Sequence, residues 1–184
     1  MTTTWQLDTS HTDITFAAKH MMVSTVRGKF GDVTGEIEAD REDPTSARGE
    51  IKIGLASLNT GSEFRDNHLR SADFFDVETH PTATFRIDQI ELVGDEYEIR
   101  GELTIRGVSR PITLKAELLG FYTSMEGNPR VGFSAQAKLN RRDWGLNWNV
   151  ALEQGGWLVG DEIKLAIDAV FEEARESAEV AAAA

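Results

Sequence analysis

Apolar and polar residues alternate one for one along most of this chain, as in β-strands that bury a single face. Ile14, Phe16 and Ala18 show the pattern clearly, and a change of its phase at Gln89 predicts a β-bulge. A short apolar–polar piece at 5–8 is predicted to tuck against the fold. Several predicted strands are 11 to 14 residues long, which predicts a tall sheet. The eight predicted strands are 13–19, 26–39, 47–57, 82–93, 97–105, 112–118, 131–139 and 158–171.

One interior stretch, 59–75, has a helical rather than an alternating pattern. Ser62 is placed to cap the N-terminus of this helix through its hydroxyl oxygen. Phe64, His68 and Leu69 fall on neighbouring helical positions, which predicts a face that covers an apolar surface. The sequence therefore predicts a single short helix, inserted between the third and fourth strands.

Eight strands joined mostly by short turns predict an all-β fold, an antiparallel meander that closes into a barrel and so has no free edges. A two-sheet sandwich has the same period and stays open as an alternative. The predicted domain is 1–172. The acidic, alanine-rich segment 173–184 is predicted to be a frayed or disordered tail.

The formal net charge of −12 argues against nucleic-acid binding and against docking on anionic membranes, because phosphate groups repel an acidic protein. The simplest interpretation of this charge is that it keeps the protein soluble. No apolar run approaches the roughly 20 residues of a membrane span, so stable membrane insertion is not expected. The chain has no cysteine and no visible secretory signal, which favours the cytoplasm.

Motifs for metal binding, catalysis and nucleotide binding are missing from the sequence. The four histidines are not in ligand spacing, and neither a GxSxG elbow nor a P-loop is present. We therefore predict no metal and no cofactor. Asp66 and His68 are two positions apart and do not face each other on a helix. Together with Arg65 they are better explained as hydrogen-bonded pins that hold the helix over one barrel end.

The segment 141–148 combines two adjacent arginines, an aspartate and two tryptophans around a glycine. One interpretation is an aromatic corner that plugs a barrel end. The other is a mouth in which Trp144 and Trp148 contact an apolar ligand while the two arginines approach its polar head. Both interpretations stay open on the sequence.

Several blocks of the chain resemble the YceI-like family, bacterial proteins with a lipocalin-like barrel associated with polyisoprenoid binding. The resemblance covers Thr4 to Phe171, and its most specific block is Arg65-Asp66-Asn67-His68-Leu69-Arg70-Ser71. Other matching blocks are Trp5-Gln-Leu-Asp8, Gly101-Glu-Leu-Thr-Ile105 and Arg142-Asp143-Trp144-Gly145-Leu146. The resemblance implies an extended eight-stranded antiparallel barrel whose apolar pore holds a long isoprenoid or similar lipid. Some members of the family are periplasmic.

The function expected from these observations is a soluble, non-enzymatic carrier of a polyprenyl or quinone-like lipid. A small barrel enzyme acting on an isoprenoid and a stress-related module without ligand remain alternatives, and a homodimer is left open. The residues expected to line the pore and its mouth are Phe16, Ala18, His20, Ile53, Phe64, His68, Phe74, Phe85, Ile87, Leu103, Ile105, Leu114, Phe133, Ala135, Arg142, Trp144, Trp148 and Ile167.

Overall fold

The structure, a computed structural model, describes residues 1–174. Eleven strands and one α-helix make up this part of the chain, with three short 3₁₀ turns between them. The strands are β1 (Thr2–Leu7), β2 (Asp13–His20), β3 (Ser24–Phe30), β4 (Val33–Asp40), β5 (Asp43–Gly54), β6 (Leu58–Asn59), β7 (Thr82–Val93), β8 (Glu96–Ile105), β9 (Val108–Thr123), β10 (Pro129–Asn140) and β11 (Val159–Glu173). The helix α1 spans Glu63–Arg70.

The strands form one closed antiparallel barrel with eight positions in its wall. Hydrogen-bonded neighbours follow the order β1-β4-β5-β7-β8-β9-β10-β11, and β11 pairs again with β1. The remaining strands continue this wall, because β2 pairs with β11 and β3, and β3 pairs with β6. Two strands thus occupy one wall position, one beyond the other along the barrel, in three places: β1 with β2, β3 with β4, and β5 with β6. The predicted eight-stranded barrel with one helical insertion is confirmed, and the sandwich is excluded.

The N-terminal segment corrects the prediction that 5–8 merely tucks against the fold. It belongs to β1, where Trp5 lies opposite Ile37 on one side and Glu173 on the other. A six-residue strand is too short for its period to stand out in the sequence. β11 also runs through Glu173, and the amide of Ala174 donates to Thr4 O at 2.8 Å. The first two residues of the predicted tail are thus part of the barrel, and the rest lies outside the described residues.

Most turns and bulges of the structure lie where the sequence predicts them. The register between β7 and β8 shifts just before Gln89, so the predicted bulge is confirmed. The predicted strands leave a gap at 106–111, but the turn in the structure is shorter than this gap. Arg106 and Gly107 alone make the turn, with φ angles of 53° and 73°, the left-handed pair of a two-residue hairpin. Pro111 lies inside β9, opposite Glu102.

The two ends of the barrel differ in construction. One end carries the short turns between β4 and β5 and between β7 and β8, and we call it the hairpin end. The other end carries α1 and the irregular segment 141–158, and we call it the helix end. The inward residues of the strands form two apolar clusters between these ends, with Leu55 and Leu58 the most buried side chains at 1% exposure each.

Asp8 follows β1 and helps to fasten the seam where the barrel closes. Its amide donates to Val170 O at 2.8 Å, and its carboxylate lies 3.2 Å from Arg130. Burial acts to raise the pKa of Asp8, but hydrogen bonds from Ser10 and His11 outweigh it and lower the pKa from its ordinary 3.8 to about 2. The ionised carboxylate therefore stabilises the folded chain.

We expect Asp8→Asn to flatten the acid limb of the stability curve. Because the folded-state pKa is depressed, the contribution of Asp8 is complete above about pH 5 and is lost as the pH falls towards 2. At pH 7 the variant should lose about 1 kcal/mol of unfolding free energy once solvent screening is allowed for. Urea unfolding across this pH range measures both effects, with Asp13→Asn on the exposed face of β2 as the control. An acid limb as steep as that of the wild type would contradict the assignment.

Candidate functional site

The interior of the barrel contains a cavity of about 720 Å³. Its wall is made by the inward residues of the strands, and it reaches from the helix end to the hairpin end. Most of the lining side chains are aliphatic or aromatic. Ligand sites in proteins typically measure about 300–1,000 Å³ and are lined in this way. The cavity is thus suited to an elongated apolar molecule.

Seventeen of the eighteen residues expected at the pore do line this cavity. Strand alternation places the twelve that lie on strands, since successive side chains point to opposite faces of a closed sheet, and the other five lie on α1 and the loops of the helix end. The seventeen are Phe16, Ala18, His20, Ile53, Phe64, His68, Phe74, Phe85, Ile87, Leu103, Ile105, Leu114, Phe133, Ala135, Trp144, Trp148 and Ile167. Their contact with a ligand stays a prediction.

Arg142 is the exception, and its place is taken by its neighbour. Arg142 is exposed and forms an ion pair with Asp161 at 2.8 Å, whereas Arg141 is 5% exposed and lines the cavity. Both arginines lie on the 3₁₀ turn Arg141–Trp144. The two arginines are adjacent on this turn, and no pattern in the sequence specifies which of them points into the barrel.

The guanidinium of Arg141 holds the irregular segment of the helix end in place. Its Nη1 donates to Leu146 O at 2.5 Å and to Trp148 O at 2.9 Å, and its Nε donates to Gly160 O at 3.0 Å. Nη2 contacts Val159 O at 3.4 Å. Burial lowers the pKa of Arg141, and the carboxylate of Asp161 acts in the opposite direction. The side chain is thus committed to backbone carbonyls.

The helix α1 is fixed by polar contacts at its N-terminus. Ser62 caps it as predicted, accepting from Arg65 N at 3.4 Å. Asp66 is 6% exposed and accepts from both the amide and the hydroxyl of Thr60, at 2.9 and 2.5 Å. Arg65 donates to the same hydroxyl at 2.7 Å. These contacts are those expected of structural pins.

We expect Asp66→Ala to destabilise the protein by about 2–3 kcal/mol, because it leaves the buried amide of Thr60 without its charged acceptor. The matched control is Glu63→Ala, an exposed acidic residue of the same helix, which should cost less than about 1 kcal/mol. Unfolding free energies from urea titration decide the point. Equal losses in the two variants would show that Asp66 does not pin the helix.

One face of α1 departs from the prediction. Phe64 lines the mouth of the cavity but is 87% exposed, so it does not cover an apolar surface as expected. Leu69, one turn further on, does pack against both core clusters. An eight-residue helix gives too few turns for its apolar positions to define one buried face.

His68 lies at the helix end of the cavity between two aromatic rings. Its ring centre is 4.4 Å from that of Trp148 and 5.1 Å from that of Phe74, both edge-on. Its Nε2 lies 2.8 Å from a carboxylate oxygen of Asp73, rather than near Asp66. The imidazole is thus oriented by a carboxylate and closes part of the cavity wall.

Within 1–174, no group of three or more His, Cys, Asp or Glu side chains is arranged to hold a metal ion. The helix α1 is too short to cross a membrane, and so is every other helix in the described part of the chain.

The prediction missed several lining residues. Ile51 and Leu165 continue the alternation of Ile53 and Ile167, so the same pattern could have found them. Trp5 and Phe171 line the cavity as well. Phe171 continues the alternation of Ile167, whereas Trp5 belongs to β1, whose pairing with β11 joins the two ends of the described chain and has no local signal in the sequence.

The fold is a closed antiparallel barrel around an apolar cavity, an architecture whose interior in other proteins is either filled by side chains or holds one small ligand. Residues 5–171 match the YceI-like domain, and the chain belongs to that family. The predicted resemblance is confirmed. A UPF0312 protein of Staphylococcus epidermidis is 37% identical over 170 residues, 92% of this chain and 97% of its own length. A UPF0312 protein of Pseudomonas aeruginosa is 36% identical over 140 residues, 76% of this chain and 73% of its own length.

Solved structures share the fold. The YCEI protein of Campylobacter jejuni is 32% identical, with a TM-score of 0.72 over 86% of this chain and 90% of its own. BcnA of Burkholderia cenocepacia has a TM-score of 0.75 at 21% identity, over 89% of this chain and 98% of its own. A polyisoprenoid binding domain from Saccharophagus degradans, implicated in plant cell wall breakdown, has a TM-score of 0.68 at 16% identity, over 92% of this chain and 98% of its own.

Proposed function

We propose that this protein is a non-enzymatic carrier that holds one long isoprenoid-type lipid, such as a polyprenyl or quinone-like compound, inside the barrel. The observation that carries the proposal is the apolar cavity of about 720 Å³ running between the two barrel ends. The polyisoprenoid binding of the related Saccharophagus degradans domain supports the same ligand class. A cytoplasmic location and a homodimer stay predictions.

The chemistry of the lining agrees with binding rather than turnover. Of the charged or titratable groups that line the helix end, Arg65 donates to Thr60, His68 contacts Asp73, Arg141 donates to backbone carbonyls and Lys19 donates to Thr25. These contacts hold the wall together. An apolar chain would gain up to about 0.8 kcal/mol for each buried methylene, so fifteen or more buried carbons are needed to reach the ~12 kcal/mol of nanomolar binding before ordering costs.

Chain-length dependence tests the proposal. We would titrate the purified protein with a series of prenols that differ only in the number of isoprene units. A carrier should bind each longer prenol more tightly until the cavity is filled, after which affinity should level off. No binding, or an affinity that does not change with chain length, would contradict the proposal.

A further inference from the structure

Six exposed apolar side chains lie at the helix end of the barrel, and we call them the mouth patch. The turn between β2 and β3 supplies three of them, the segment between β10 and β11 supplies two, and α1 supplies one. Each is between 45% and 87% exposed. They are Met21, Met22, Val23, Phe64, Val150 and Trp157. Exposed apolar side chains gathered in one place mark an interaction site more often than scattered ones do.

The mouth patch is continuous with the cavity. The amide of Met21 donates to Leu158 O at 2.8 Å, which joins the β2–β3 turn to the segment that carries Trp157. The amide of Leu158 in turn donates to Val150 O at 2.9 Å. Leu158 and Phe64 both line the cavity, so the patch extends outward from its mouth. A surface that covers the patch therefore also meets the entrance.

The β2–β3 turn presents its apolar side chains in a backbone conformation that suits other residues better. Val23 N donates to His20 O at 3.3 Å, and the two residues between them, Met21 and Met22, have φ angles of 51° and 64°. Glycine, asparagine and aspartate adopt this left-handed conformation most readily. The barrel gains little from Met22 and Val23, which stay 67% and 87% exposed. A contact outside the barrel explains the apolar turn better than folding does.

Charge distinguishes the helix end from the hairpin end. The β2–β3 turn is uncharged, and the segment 150–158 contains a single charged residue, Glu153. The hairpin end also exposes apolar side chains, among them Met125, but its turns carry the exposed carboxylates of Glu42, Asp43 and Asp95. These carboxylates would have to leave water if the hairpin end entered an apolar phase, which is costly for a charged group. The helix end is therefore the better suited of the two to an apolar, uncharged surface.

The size and composition of the mouth patch favour a bilayer over a second protein chain. A stable protein interface uses about 20–30 residues on each side, whereas the patch has six side chains. Tryptophan, here Trp157, is enriched where a membrane meets water, because its ring is apolar and its N–H is polar. The β2–β3 turn and the segment 150–158 contain no lysine or arginine, the residues that recognise anionic lipid headgroups.

We propose that the helix end docks on the surface of an electrically neutral bilayer, with the mouth patch inserted among the lipid headgroups. The carried lipid then enters and leaves the barrel at the bilayer surface without crossing water. This inference rests on the proposed function for the exchange of lipid, and it names the surface from which that lipid is taken.

Flotation with phosphatidylcholine vesicles tests the docking surface. The double variant Met22→Asn/Val23→Ser removes two side chains of the patch and places asparagine at a left-handed position that it tolerates. It should bind these vesicles about tenfold more weakly than the wild type. The control is Met125→Ser, which removes a fully exposed methionine of the hairpin end and should bind as the wild type does. Adding phosphatidylserine to the vesicles should weaken binding, because the net charge of −12 opposes it.

Tryptophan fluorescence gives a second measurement that does not depend on the double variant. Trp157 is 55% exposed, so its emission should move to shorter wavelengths when its ring leaves water at the vesicle surface. Trp157→Phe should lose this shift. A shift of the same size in Trp157→Phe, or no shift in the wild type, overturns the docking surface.

Prenol titration without vesicles separates this proposal from the carrier function, because Met22, Val23 and Trp157 lie outside the cavity wall. Weaker vesicle binding by the double variant, with its prenol affinity unchanged, supports both proposals. Three results overturn the docking surface and leave the carrier function standing: equal vesicle binding by the double variant and the wild type, no vesicle binding by the wild type, or a wild-type dimer that the double variant abolishes. Vesicle binding by a protein that takes up no prenol overturns the carrier function and the exchange of lipid, but not the docking.

Discussion

Ala18→Trp should abolish most binding of a long prenol, while Ala17→Trp should leave it intact. The two alanines are consecutive in β2, and only Ala18 lines the cavity. An indole at Ala18 displaces several carbons of the ligand tail. Displacing two or three buried methylenes at about 0.8 kcal/mol each weakens binding by roughly 2 kcal/mol, about thirtyfold.

The Ala17 variant controls for everything except the direction of the side chain. Its Cβ points to the outer face of the same strand, between the positions of Lys164 and Arg27 on the neighbouring strands. Both variants need a thermal melt to establish that they fold. Tight binding by a folded Ala18→Trp protein, with the affinity of the Ala17→Trp protein, would mean that the ligand does not enter the barrel.

Arg141→Leu should be the most destabilising single substitution among those considered, at about 3–5 kcal/mol. It leaves the carbonyls of Leu146, Trp148 and Gly160 without the donor that now reaches them in a buried site. Because Trp148 forms part of the cavity wall, the same variant should also bind lipid less tightly. Urea unfolding and prenol titration measure the two effects.

Arg142→Leu is the matched control, since it removes an equal charge one residue away. Its exposed ion pair with Asp161 should contribute less than about 1 kcal/mol. Stability losses of similar size in the two arginine variants would contradict the structural role of Arg141. This pair of variants tests the distinction that the sequence could not make.

The barrel itself could be predicted because the pattern that indicates each strand lies within that strand. The alternating patterns that contain Phe16, Phe85 and Ala135 each involve only a few neighbouring residues. Each pattern places its apolar residues on one face of one strand. When a sheet closes, all these faces meet in the interior. The identity of most cavity residues therefore followed from period-2 patterning and from the family resemblance.

The features that could not be predicted depend on contacts between residues that are far apart in the sequence. β1 is defined by its pairing with β11, across nearly the whole described chain, and a six-residue segment shows no distinctive period of its own. The choice between Arg141 and Arg142 depends on the carbonyls of 146–160, which fold around one guanidinium.

Native mass spectrometry of the freshly purified protein, followed by organic extraction of the bound material, tests the central claim most directly. One lipid molecule with an isoprenoid tail is expected for each protein chain. An empty protein that also fails to take up prenols or prenyl quinones would contradict the carrier function, and only the barrel fold would remain.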